Sequence, residues 1–502
     1  MIFPLLTGIE AEGKARIRKS LLKYAIFPAF IIYSSIWAYV VLLRYYSFNA
    51  DVFDLGLASG ALYSVFHGGL VATAADPRPF PFSKMFILVL APFYYFFPNP
   101  AWLPVFQSIW IGLGIFPLYY IARIAIRDEK YAAVIAMTYL LYYPLSGVNW
   151  FDFHFMAMFP TFFLIGFALR LSGRNKLSML AMAFAAISDY LVPLILVFYA
   201  IYIILDPKSS VSRNKRFPYV FGILTIAMFV FLGAILYSGR LIPLDYTGLS
   251  GASYSPIYKS TFLLKAEYVG QMQLPSLFIS FISPESLIMT IPYYTLAFVN
   301  NYQPYLSTMY FQYPALTAPI TFIAFALGIA RIKDNVNLRF KRRSVRGTWK
   351  VLAVAALFFN LALFSLYTPV GELYTSSYSN QRMASILTGN DFSYNAVSSI
   401  QIQPYDSDLM NAVHMVPIGS SVLIQNNMPE LVAGYNWTLP DFYVNGTYPA
   451  YILVDPHSYY YDHFSVAYHA TNYTMKSLSS LLLATGKYSV LYSEQNITLY
   501  IL

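Results

Sequence analysis

The chain has 502 residues, 58% of them hydrophobic and 11% charged, with a formal net charge of +9. Soluble proteins carry about 25% charged residues, so an ordinary soluble enzyme is excluded. With no cysteine, disulfides, zinc knuckles, iron–sulfur clusters and a thiol nucleophile are excluded too.

In chain order, a basic stretch with Lys14, Arg16, Arg18 and Lys19 precedes an uncharged run over Tyr24–Leu43. That run is long enough to cross a hydrocarbon core of about 30 Å as a helix. It is too long for a signal-peptide core, so it reads as an anchor with its basic end in the cytoplasm. The 45–100 loop is expected to bear interfacial helices, and Met85–Phe97, bracketed by prolines, predicts an interfacial or re-entrant helix. Further spans are expected at Ala101–Ala122, Tyr131–Val148 and Phe155–Leu169, then at Phe217–Tyr237, Tyr268–Ile282, Leu287–Val299, Phe311–Ala330 and Val351–Tyr367. The stretch Leu177–Leu205 exceeds one crossing and contains Asp189 and Pro193, which predicts two short helices meeting near Asp189. The total is about eleven spans in a polytopic α-helical membrane protein.

Lys and Arg accumulate in cytoplasmic loops. With the N-terminus inside, the segments expected in the cytoplasm hold 23 of the 32 basic residues. Topology therefore accounts for the positive balance, and no nucleic-acid partner is expected. The far end of the last span is then extracytoplasmic, at the plasma membrane.

Beyond the transmembrane domain (1–368), a polar linker over 369–400 leads to an extracytoplasmic domain over 401–502. There the apolar runs shrink to strand length at Ser421–Ile424, Tyr451–Val454, Tyr488–Tyr492 and Ile497–Leu502, with helices expected around Asp408–His414 and Met475–Ala484. This alternation predicts a small α/β domain. Its four glycosylation sequons, at Asn436, Asn445, Asn472 and Asn496, suit an exported surface. His457, His463 and His469 share no helix face, and no metal site is expected among them.

Ionisable groups near membrane depth are costly and usually serve a purpose. Here they fall on one side: Asp51, Asp54, Arg78 and Lys84 in the first outward loop, Asp152 and His154 in the second, and Asp189 at the broken pair. Asp51 and Asp54 read either as chemical acids or as caps of a short helix running to Phe66. Asp152 and His154 read as site residues or a wet loop, Asp189 as a site residue or a helix cap, and Arg78 as a phosphate ligand or an interfacial anchor.

Phe53-Asp54-Leu55-Gly56, Phe82-Ser83, Leu90-Ala91-Pro92-Phe93-Tyr94 and Phe151-Asp152-Phe153-His154 resemble, in order and spacing, a prokaryotic family of polytopic membrane proteins. That family is catalogued as a domain of unknown function and grouped with the GT-C glycosyltransferases. The stretch from Leu274-Pro275 through Gln312-Tyr313, and Val416–Val422 with Val454-Asp455, look similar as well. The resemblance implies a GT-C-like core whose outward cavity takes a sugar from a polyprenyl-phosphate carrier. It implies Asp54 as acceptor base with Asp51 as its alternate, and Asp152, His154 and Asp189 lining the cavity. Arg78 or Lys84 would meet the phosphate, and a divalent metal is possible. The chain departs from the family at Pro81, where a His is common, and at Ile187-Ser188-Asp189, where Lys-Glu-Asp is common. Two further readings therefore stay open: an inactive scaffold that presents its outer domain to an envelope partner, and a transporter or lipid-carrier translocase.

Overall fold

The computed structural model describes residues 20–68, 85–205, 213–238, 259–299, 303–308, 311–339, 347–370, 401–464 and 471–502. The first helix starts where Ser20 caps a 3₁₀ turn by accepting from the Leu22 amide at 3.2 Å. It continues through the uncharged run as α1 (Ile26–Tyr46). Glu129 draws this end together, accepting from the Ser20 amide at 3.0 Å and lying near Lys23 and Arg123.

Four helices among the described residues are long and apolar enough to cross a membrane: Leu21–Tyr46, Trp102–Ile126, Arg216–Gly233 and Thr348–Tyr367. The pair Glu129–Leu140 and Tyr143–Trp150, bent by 45°, makes a fifth if taken as one span. Length and composition thus support four or five crossings rather than a one-for-one match to eleven. Proline explains much of the difference, because it removes a helix hydrogen bond and clashes with the preceding turn. The run expected over Tyr268–Ile282 is a helix over Lys259–Gln273 followed by 3₁₀ turns at Leu274–Ser276 and Ile279–Ile282. The run expected over Leu287–Val299 is broken before Ile291–Val299. The Met85–Phe97 run forms the ten-residue helix Ile87–Phe96, about 15 Å long and too short to cross. The broken pair is as expected: Asn175–Ala186 and Val192–Leu205 flank Asp189.

Five strands form the C-terminal sheet domain: β1 (Ser421–Leu423), β2 (Asn436–Thr438), β3 (Tyr451–Val454), β4 (Ser489–Glu494) and β5 (Ile497–Ile501). They are ordered β2-β1-β3-β5-β4, with β1 parallel to both β2 and β3 and the remaining pairs antiparallel. Side chains alternate between faces along a strand, and the two faces bury different partners. Val422, Leu453, Ile497 and Leu499 pack with Leu409 and Val413 of the helix Pro404–Met415. Leu423, Ile452 and Val454 pack with Met475, Leu478 and Leu482 of the helix Met475–Leu483. The first cluster also takes in Phe48 and Val52 of the helical part, so this domain sits against the loop that follows α1.

Candidate functional site

After α1 the chain turns through Phe48, at φ 50°, and runs extended to Asp51 before a π-helical turn over Val52–Gly56. Single π turns concentrate at functional sites, and this one carries Asp54. The second contribution comes from the end of the Tyr143–Trp150 helix, where Asp152 sits at φ 33°. A non-glycine residue rarely takes that left-handed conformation, and here it turns the carboxylate back toward α1. Gln107, on the helix Trp102–Leu113, fixes this turn by donating to the carbonyls of Val148 and Asp152 and accepting from the His154 amide at 2.8 Å.

Three carboxylates converge: Asp51, Asp54 and Asp152 each place an oxygen within 4.8 Å of the others. Arg44, buried in the last turn of α1, lies among them. Its Nε donates to Asp152 Oδ1 at 3.1 Å, its Nη2 is 3.9 Å from Asp51 Oδ2, and its guanidinium lies over the Trp150 ring at 4.8 Å. The second Asp152 oxygen accepts from the Asp51 amide at 2.7 Å. Asp51 Oδ1 accepts from the Tyr460 hydroxyl at 2.8 Å and from Asn426 Nδ2 at 3.3 Å. Burial, and then the charge of Asp152, push the Asp51 carboxyl well above the usual range, while Arg44 opposes them. Burial also raises Asp152, again against the pull of Arg44. Burial disfavours the charged form of an acid and a nearby cation favours it, so one guanidinium serves two buried acids.

Asp54 differs. Its side chain keeps 24% exposure and meets His154 Nε2 at 2.9 Å. His154 Nδ1 lies 3.1 Å from the Phe151 carbonyl, which can only accept, so Nδ1 carries a proton. One further proton is then shared between Nε2 and the Asp54 carboxylate. An acid–base pair with one face to solvent is thereby built beside two satisfied, buried acids.

A divalent cation does not fit the trio as it stands. The oxygens of Asp51 and Asp152 face Arg44, the Asp51 amide, Tyr460 and Asn426, so the place of a cation is taken by the guanidinium.

Of the residues singled out from sequence, Asp51, Asp54, Asp152 and His154 come together. Asp189 stands outside the trio. It is buried and accepts from the Leu191 amide at 2.9 Å, as a cap for the Val192–Leu205 helix. Arg78, Lys84 and Pro81 lie outside the described residues. The sequon residues Asn436, Asn445, Asn472 and Asn496 are all exposed. His457 approaches the Gln495 carbonyl and His463 the Tyr459 carbonyl, while His469 lies outside the described residues. Sequence reasoning missed Arg44, Gln107, Asn426 and Tyr460. Only Arg44 carries a signal, as a lone cation closing an uncharged span on the side where basic residues are scarce.

A cavity of about 630 Å³ is lined by Leu42, Leu90, Phe93, Phe97, Trp102 and Phe106 among others. Pockets of this size hold small organic ligands, and the lining is apolar except at Asn99.

The family model described as Predicted membrane protein (DUF2079) matches residues 44–499. No curated protein matches the chain. Among solved structures, the oligosaccharyltransferase of Archaeoglobus fulgidus, tethered to an acceptor peptide containing the NVT sequon, is similar at 12% identity and a TM-score of 0.40, over 82% of this chain and 63% of that one. The Archaeoglobus fulgidus oligosaccharyltransferase AglB, in complex with an inhibitory peptide and a dolichol-phosphate, is similar at 10% identity and a TM-score of 0.37, over 84% and 65%. The chain thus spans slightly less than two thirds of each of those proteins.

Proposed function

We propose, from the premise that the chain belongs to the family described as Predicted membrane protein (DUF2079), that it is a GT-C-like glycosyltransferase. In this reading it crosses the plasma membrane about eleven times, with the N-terminus cytoplasmic and the sheet domain extracytoplasmic. At the outer face it takes a sugar from a polyprenyl-phosphate carrier. The observation that carries the reading is the Asp54–His154 pair, exposed on one side and held at 2.9 Å. Sugar transfer to a hydroxyl or amide needs a carboxylate that orients the acceptor and takes up its proton. In this reading Asp54 takes that role, and His154, whose other nitrogen faces the Phe151 carbonyl, holds the carboxylate in orientation and shares the proton. The apolar cavity lined by Leu42, Phe93 and Phe106 suits a prenyl chain. Arg78 and Lys84 are the candidates for meeting the departing phosphate.

A second reading, the non-catalytic scaffold, is favoured by one observation: Asp51 is engaged by Tyr460 and Asn426, so two of the three acids serve structure. The transporter reading has no such support.

Incubating the purified protein with a panel of polyprenyl-phosphate sugars tests the choice. The transferase reading expects transfer from at least one donor and its loss in Asp54→Ala. No transfer from any donor, together with an unchanged cellular glycan profile in Asp54→Ala, would sink it.

A further inference from the structure

We infer that Asn426 and Tyr460 of the sheet domain are positioning residues for Asp54, so that the acidic site is complete only with that domain docked. In open sheets with parallel strands, ligands bind outside the carboxyl ends of the strands, where the strand order reverses. Here β1 is flanked by parallel β2 and β3, and Asn426 and Tyr460 lie in the segments that follow β1 and β3. Those two segments are joined by Gln425 Nε2 donating to the Asp455 carbonyl at 2.9 Å and by Asn427 Nδ2 donating to Asp455 Oδ2 at 3.0 Å. What this edge receives is a piece of the chain itself, the residues leading into Asp54.

Asn426 grips three successive residues. Its carbonyl accepts from the Val52 amide at 2.7 Å, its Oδ1 accepts from the Phe53 amide at 3.2 Å, and its Nδ2 donates to Asp51 Oδ1 at 3.3 Å. Tyr460 adds a hydroxyl to the same Asp51 oxygen at 2.8 Å. The next residue is Asp54. Two loops of the sheet domain thus fix the start of the π-helical turn, and the rotation of that turn decides where the Asp54 carboxylate points. A mere adhesive contact would account for stability alone; contacts to three consecutive residues beside the acid also set its direction.

The consequence for catalysis rests on the transferase reading, but the geometry does not, and the test separates them. Both ring nitrogens of His154 are engaged, one by Asp54 and one by the Phe151 carbonyl, so the ring should react slowly with diethylpyrocarbonate. Full-length protein in lipid nanodiscs would be labelled at a single pH and the His154 peptide followed by mass spectrometry. Tyr460→Phe and Asn426→Leu should speed His154 modification about fivefold, as the loss of roughly one hydrogen bond implies, with Tyr460→Phe still folded as read by a cooperative thermal melt. Tyr492→Phe is the control, because it removes a hydroxyl that bonds Asp408 within the same domain at 3.1 Å. An unchanged His154 rate in folded Tyr460→Phe, or an equal rise in Tyr492→Phe, would overturn the proposal; should Asn426→Leu fail to fold, Tyr460→Phe decides alone. Absence of sugar transfer by the unaltered protein would count against the transferase reading and leave the labelling result standing.

Discussion

Arg44 lies at the centre of the site's charge. Removing one partner of a buried ion pair leaves an uncompensated charge and costs about 3–5 kcal/mol. Arg44→Met should therefore lower the melting temperature sharply, and restoring neutrality with Asp152→Asn in the same chain should recover part of the loss. A lone Arg44→Met that melts like the unaltered protein would show that the guanidinium is dispensable. Glu430 offers a second test at this scale. Both of its carboxyl oxygens are buried, and burial pushes its carboxyl up to about 8 against the opposing pull of the Tyr45 hydroxyl. The folded protein then holds a proton that the unfolded chain releases near the ordinary value of 4.5, so stability falls as pH rises from about 4.5 to about 8 and levels off above that. Glu430→Gln should stabilise the protein more at pH 8 than at pH 5, as read by melting temperature at the two pH values. Asp54, Asp152 and His154 were legible in the sequence because charges are rare in this chain. Asn426 and Tyr460 were not, since one amide and one phenol among the 46 tyrosines carry no mark of a partner more than 370 residues away.

Among the elements, the π-helical turn has a tight steric requirement at its last residue. A Cβ on Gly56 would lie 2.9 Å from Val432 Cγ2 of the sheet domain, a distance at which something must shift. Gly56→Ala should destabilise by about 1–3 kcal/mol, the usual range for overpacking, and a double variant with Val432→Ala should relieve it. The broken pair has a milder requirement. Asp189 accepts from the Leu191 amide, and losing such a cap costs about 1 kcal/mol. Asp189→Asn should keep most of that stability and Asp189→Ala should lose it, as measured by unfolding in detergent. The break itself was readable because a charge and a proline interrupt an apolar run. The runs around Pro275 and Pro284 are interrupted helices in the structure, which hydropathy does not show because it averages over prolines, whereas helix geometry does not. Strand β2 escaped notice because three residues, Asn436–Thr438, show too little alternation to read.

For the molecule as a whole, the sequence placed the scarce acids and the C-terminal domain on the same side, and in the structure Asp51 indeed touches Asn426 and Tyr460. The docking itself could not be read, because it depends on loops after β1 and β3 whose proximity exists only once the parallel strands pair. The central claim is that Asp54, aimed by its neighbours in both parts of the fold, takes the acceptor's proton. Its most direct test is the single-turnover rate of sugar transfer by Asp54→Asn and by the unaltered protein in identical nanodiscs with a polyprenyl-phosphate donor. General bases contribute about 10²–10⁴-fold, so the account predicts a rate at least about a hundredfold lower with donor binding retained; an Asp54→Asn protein that transfers sugar at the unaltered rate would contradict it.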